Sequence, residues 1–210
     1  MSEPNPVVHA SPLSDAAMRI VRFAAPLFAM KGYSGVSIND IACAAGGSKA
    51  NIFHHFPNKE ALYLAVIRSA SNEFRAELNR LVDEGEDGEH RLRLIARHHF
   101  EGMFSDPDAS RLILREVFDS ESGINRSLVA DILHQNFAYI VNQIKEVQTQ
   151  GHIRKDANAA LLAMNLIAVN VFIFHSWKIM EQFDEFRHLG SPQAFADAAF
   201  ETITKGLCAK

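Results

Sequence analysis

The chain has 210 residues, 48% of them hydrophobic, with 21 Lys and Arg against 25 Asp and Glu for a net charge of −4. That length suffices for a sizeable core without metals or disulfides. Cys43 and Cys208 are too few and too scattered for a disulfide framework, which fits a reducing cytoplasm. The acidic balance argues against DNA binding by bulk charge alone, yet the charge is uneven: residues 1–70 carry +2 and the remaining 140 carry −6.

Residues 1–14 hold Pro4, Pro6 and Pro12 among polar residues, with no cationic start and no apolar run. They read as a flexible arm and not as a signal peptide. A first helix is predicted over 15–31, with Ile20, Phe23, Ala24, Leu27 and Phe28 on one face. Pro26 lies inside it; the apolar register continues past, so a kink and not a break is expected. Gly32 ends this helix. Ser37, with Asp40 three residues on, starts a second helix as a capping box, and Ile38, Ile41, Ala42 and Ala45 face inward. Gly46-Gly47 breaks it, because glycine takes the left-handed backbone of a sharp turn. Ser48 caps a third helix whose inner face is Ile52 and Phe56, leaving Lys49, Ala50, Phe53 and His54 outside. Helix, glycine turn and helix with a small and polar outer face is the geometry that lays a helix in the DNA major groove.

Asn58 caps a long helix from Lys59 to about Asp83, which links the two halves of the chain. A loop at 84–88 follows, then helices at about 89–105, 107–118 and 122–150, the last closed by Gly151. Asp156 is expected to cap the next helix. Residues 157–177 contain no Asp, Glu, Lys or Arg. About 20 apolar residues are enough to span a bilayer. Asn158, Asn165, Asn170 and His175 interrupt the run, which favours a helix buried on its own core and on a second chain, with no membrane. A final helix begins at Ser191-Pro192 and runs to about 207. No strand signal and no internal repeat is present. The fold class is all-α, with an N-terminal three-helix helix-turn-helix domain over 15–62 and a larger C-terminal helical domain over 63–210.

Many positions of the first unit fall in one register with a known family. These are Ala24-Ala25, Leu27-Phe28, Gly32-Tyr33, Ser37, Ile41-Ala42, Ala45-Gly46, Ser48-Lys49, Ile52-Phe53, His55-Phe56 and Lys59-Glu60. The segment from about Ile20 to Leu62 resembles the DNA-binding domain of the TetR family of bacterial transcriptional regulators. The rest of the chain matches that family in layout. The resemblance implies a ligand-responsive regulator, usually a repressor, that binds an operator in double-stranded DNA. The C-terminal domain would then bind ligand and dimerise.

The candidate DNA-binding residues are Ser37, Asn39, Ser48, Lys49, Ala50, Phe53, His54, His55 and Lys59. Lys49 sits at the start of the reading helix, in reach of base edges or phosphate, and Ala50 and Phe53 suit thymine methyls. Ser37, His54, His55 and Lys59 suit backbone phosphates, beside a helix N-terminus. The family often carries tyrosine where this chain has Phe53, so that hydroxyl is absent here. For the effector, a mostly apolar cavity is expected, built by His99, Phe100, Met103, Phe104, Phe137 and Trp177, with His134 as a second polar group. Phe100, Met103 and Phe104 share one helix face, and His99 supplies an oriented polar contact. The homodimer is expected on helices 157–178 and 191–207. His98, His99 and Glu101 lack a well-placed third ligand for a metal, and Cys43 reads as an incidental thiol. No cofactor is implied. The competing reading is a helical enzyme or ligand carrier that uses the helix-turn-helix only for packing. It has no catalytic motif to rest on, and it leaves the outward set on the third helix unexplained.

Overall fold

The computed structural model describes residues 13–83, 88–118 and 126–204. Among these, ten helices follow in order: α1 (Asp15–Lys31), α2 (Ile38–Ala44), α3 (Lys49–His55), α4 (Lys59–Asp83), α5 (Gly88–Ser105), α6 (Pro107–Phe118), α7 (Arg126–Thr149), α8 (Ala159–Met180), α9 (Asp184–Arg187) and α10 (Pro192–Thr204). Most of the predicted arm, residues 84–87 of the predicted loop at 84–88, the predicted helix start at 122–125 and the stretch 205–207 lie outside the described residues, as does Cys208; Gly88, the last residue of that predicted loop, begins α5.

Local chemistry sets most boundaries. Ser14 Oγ accepts the Ala17 N–H at the start of α1, and the helix runs unbroken through Pro26 to Gly32. Asp106 Oδ1 accepts the Ala109 N–H and starts α6. Ser191 Oγ accepts the Ala194 N–H ahead of α10, with Pro192 in the position where a missing N–H costs nothing. The cap of α8 is Asn158 and not Asp156. Asn158 Oδ1 accepts the N–H groups of Ala160 and Leu161, whereas Asp156 pairs with Arg154. A cap must directly precede the first turn, and Asp156 stands two residues too early. The short α9, which no sequence pattern announced, is held by aromatics: Phe186 packs on Phe195 at 5.0 Å between ring centroids.

Two apolar clusters organise these helices. The first joins Phe28, Ile41 and Ile52 to Leu62, Tyr63 and Ile67 of α4, Leu112 of α6, and Val129 and Ile132 of α7. The second gathers Leu78, Leu92, Ile95, Ile144, Val147, Leu162 and Phe200 from α4, α5, α7, α8 and α10. The core of the helix-turn-helix unit therefore continues past residue 62, and α6 lies directly against α1 and α4. Full burial of a side chain such as Leu112 contributes about 1.5–3 kcal/mol, so the seat of α6 on the first unit is a firm one.

Candidate functional site

The start of α2 is built from reciprocal hydrogen bonds. Ser37 Oγ accepts the Asp40 N–H at 3.1 Å, while the Ser37 N–H and hydroxyl both donate to Asp40 Oδ2, at 2.8 and 2.7 Å. These bonds, the Ser37 hydroxyl first, hold the Asp40 carboxyl below its ordinary range. The C-terminus of α2 is closed by Arg19 of α1, whose guanidinium donates to Ala45 O at 3.2 Å. Gly46 then takes φ 64°, a left-handed value that any side chain would strain. Ser48 Oγ accepts the Asn51 N–H at 3.2 Å and starts α3.

This geometry fixes which face of α3 points outward. Ile52 and Phe56 are buried, and Lys49, Ala50, Phe53 and His54 are exposed, Phe53 by 48%. His55 is half-buried, its ring edge-on to His54 at 5.0 Å. Asn39 is exposed on α2. Asn51, not singled out in the sequence, is also exposed on α3; its place one residue from Ala50 was the available signal. The outer face therefore offers one cation, amide and imidazole donors, a methyl and an aromatic face, a set suited to base edges and thymine methyls.

Two of the expected phosphate contacts are placed otherwise. Lys59 Nζ donates to Tyr33 O at 2.9 Å and to Val36 O at 3.0 Å, and lies 4.1 Å from the centre of the Tyr33 ring. It latches the α1–α2 loop to the start of α4, because carbonyls with no helical partner need a donor and an ammonium supplies three. Ser37 spends its hydroxyl proton on Asp40, so it acts as a cap; Ser48 uses its oxygen as acceptor and keeps its proton.

In the second domain the expected effector residues do not form one wall. Phe100 and Met103 are buried, Phe104 is 37% exposed, and His134 is exposed on α7. Phe104 leans on Phe100 and Phe174, at 4.8 and 5.3 Å. Trp177 meets Phe195 at 6.3 Å, and Phe137 packs against the second cluster. His99 Nδ1 lies 3.1 Å from the Asn170 amide nitrogen, which also donates to Ala96 O at 2.8 Å. Burial, and then the neighbouring His98, pull the His99 pKa down to about 4. A cleft between α5, α8 and α10 is lined by Arg93, Arg97, Phe100, Asn170, Gln193 and Phe200, with room for about one water at ≈ 10 Å³. Of the expected set, Phe100 lines it.

Deeper in the bundle, Ser71 Oγ, Asn136 Oδ1 and Gln143 Oε1 are buried without a hydrogen-bond partner. Such atoms call for a water or a ligand. Periodicity could not find them, since they are polar residues turned inward on α4 and α7. Among the described residues, no group of three His, Cys, Asp or Glu is placed to hold a metal ion.

α8 carries an apolar stripe on its outer side: Leu161, Met164, Phe172 and Ile179 are exposed by 64, 52, 60 and 62%. By length and composition this helix is long and apolar enough to cross a membrane, and 33% of its most apolar window is buried within the chain.

The segment that folds as the helix-turn-helix unit matches the family described as bacterial regulatory proteins, tetR family, over residues 20–66. The nucleoid occlusion factor SlmA of Vibrio vulnificus is 23% identical over 176 residues, spanning 78% of this chain and 87% of its own. The transcriptional regulator RutR of Escherichia coli is 30% identical over 113 residues, 54% of this chain and 53% of its own. Among solved structures, FadR from Bacillus subtilis in complex with stearoyl-CoA matches with a TM-score of 0.73 at 18% identity, covering 90% of this chain and 98% of that one. AibR in complex with isovaleryl coenzyme A and operator DNA matches with a TM-score of 0.68 at 21% identity, covering 90% and 97%. The structural likenesses extend the fold over nearly the whole chain. Residues 20–66 are thus a DNA-binding segment of the tetR family, a family of transcriptional regulators and not of enzymes.

Proposed function

We propose that this regulator is a homodimeric repressor. It reads a near-palindromic operator with one α3 per half-site and leaves it when a small hydrophobic effector of the acyl-thioester or aromatic class binds the second domain. The observation that carries the DNA half is the outer face of α3, where Lys49, Ala50, Phe53 and His54 stand exposed on a helix capped and aimed by its own turn. One such helix offers few base contacts, so specificity needs two, a helical turn apart. The stripe on α8 supports the dimer: Leu161, Phe172 and Ile179 are more apolar surface than a lone domain leaves in water. A second copy using α8 and α10 covers it as a four-helix interface, without a membrane. A protein that reads DNA works in the cytoplasm.

The effector class rests on FadR and AibR, which hold stearoyl-CoA and isovaleryl-CoA. It rests also on the cleft, which apolar Phe100, Leu166 and Phe200 line together with Arg93 and Arg97. At its present size the cleft admits no acyl chain, so an effector binds a state with α5, α8 and α10 further apart. That differential affinity is what shifts the equilibrium, since equal affinity for both states shifts nothing. α4 carries the change, because its first turn lies in the DNA unit and its last in the second domain. The test selects an operator from random DNA by gel shift, then titrates acyl-CoA thioesters and aromatic acids into the complex. Release of the operator by a compound that also raises Tm is the expected result. Failure to retard any duplex would refute the reading.

A further inference from the structure

We propose that Tyr63 and Glu116 form the joint that sets how the DNA-reading unit is held on the second domain, which makes both positioning residues for operator binding. Glu116, on α6, is 6% exposed, and Tyr63, on α4, is fully buried. The phenol donates to Glu116 Oε1 at 2.5 Å, across 53 residues of sequence. Burying a carboxylate is costly, and packing alone does not ask for one here. Leu112, one turn earlier on the same face of α6, shows that an apolar side chain suits this seam. A directed hydrogen bond does what an apolar contact cannot: it fixes one register of α6 against α4.

The joint connects to the reading helices through a continuous series of aromatic and polar contacts. The Tyr63 ring is edge-on to Phe28 at 4.8 Å and to Tyr33 at 5.2 Å. Tyr33 lies under the Lys59 ammonium, which also holds the Tyr33 and Val36 carbonyls, one residue before the Ser37 cap of α2. The residue before Glu116 grips the other side of the same loop. A Cβ on Gly32 would lie 2.5 Å from Arg115 Nη1, so the guanidinium rests on a glycine whose φ of 70° already suits no other residue. α6 therefore holds both the end of α1 and the start of α4. A displacement of α6 reaches the aim of α2 and α3 by rigid contact, without crossing a flexible segment.

Operator binding as a readout rests on the regulator reading above; the distance measurement does not. The experiment uses the full chain with Cys208→Ser and Lys145→Cys. Nitroxides then sit on the exposed Cys43 of α2 and at exposed position 145 of α7. Labelled chain is diluted into unlabelled chain, so the distance is read within one protomer by pulsed dipolar spectroscopy. Tyr63→Phe, Glu116→Leu and the pair are compared with Val66→Ala, which removes buried methyls from the same core. Tyr63→Phe and Glu116→Leu are expected to shift or broaden the distance distribution by about 2 Å or more. The pair should add little to either single change, as coupled partners do. Val66→Ala should lower Tm and leave the distribution in place. On the selected operator, Tyr63→Phe should bind about tenfold more weakly. Distributions for Tyr63→Phe and Glu116→Leu that superpose on the unaltered chain, with Tm alone changed, would overturn the proposal. If the unaltered chain binds no DNA, the regulator reading fails while the distances still decide the joint.

Discussion

Acidification is a direct probe of the second domain. His99 Nδ1 faces an amide whose two N–H groups are committed to it and to Ala96 O. The ring is therefore neutral, with its proton on Nε2. A second proton would set two donors face to face in a half-buried place, beside His98. Burial accordingly brings the pKa from 6.5 to about 4. In the unfolded chain His99 regains its ordinary value, so as pH falls below about 6.5 the unfolded state takes up the proton first. The contribution is complete above pH 6.5, is lost between 6.5 and about 4, and changes no further below that. Each pKa unit is worth about 1.4 kcal/mol, so the full loss is about 3 kcal/mol. For a chain of this size that lowers Tm by roughly 6–12 °C. The difference between the unaltered chain and His99→Gln isolates this one group. Glutamine keeps an oxygen for Asn170 but takes no proton. Thermal unfolding followed by circular dichroism from pH 7.5 to 4.5 should show the advantage of His99 over glutamine shrinking steadily. A difference that stays constant across that range, or a His99 ring that titrates near 6.5 by NMR, would refute the reasoning.

Lys49→Ala should weaken operator binding by about 1–3 kcal/mol and relax preference at one base position, read by gel shift on single-base operator variants. Lys59→Met removes two charge-assisted hydrogen bonds and should cost about 2–3 kcal/mol in urea unfolding, whereas Lys49→Ala should leave unfolding unchanged; equal stability of the two variants would return Lys59 to the DNA surface. Phe172→Asp places a charge on the exposed stripe of α8 and should give a folded monomer by sedimentation, with unchanged circular dichroism. An intact dimer would move the interface elsewhere.

Local rules written in the sequence were enough for the outward face of the reading helix and for the described helices other than the short α9, with the cap of α8 misplaced by two residues. The Ser37–Asp40 box, the glycine at 46, the cap at Ser48 and the spacing of Ile52 and Phe56 each act within four residues, so they hold before any tertiary contact forms. The charge-free run at 157–177 likewise announced a helix with apolar surface on more than one side. What the tertiary structure alone decided involves partners far apart in the chain. Lys59 could be known as a cation, but its commitment to Tyr33 and Val36 depends on a loop folded back across more than twenty residues. Tyr63 and Glu116 stand 53 residues apart, and no local pattern pairs them. Their meeting depends on how α6 crosses α4. The expected effector residues scattered for the same reason. Helical spacing places Phe100, Met103 and Phe104 on one face, but which part of that face meets a core, a cleft or solvent is set by the crossing of α5 with α8 and α10. Periodicity reports a face relative to its own axis; only packing gives the axis a direction.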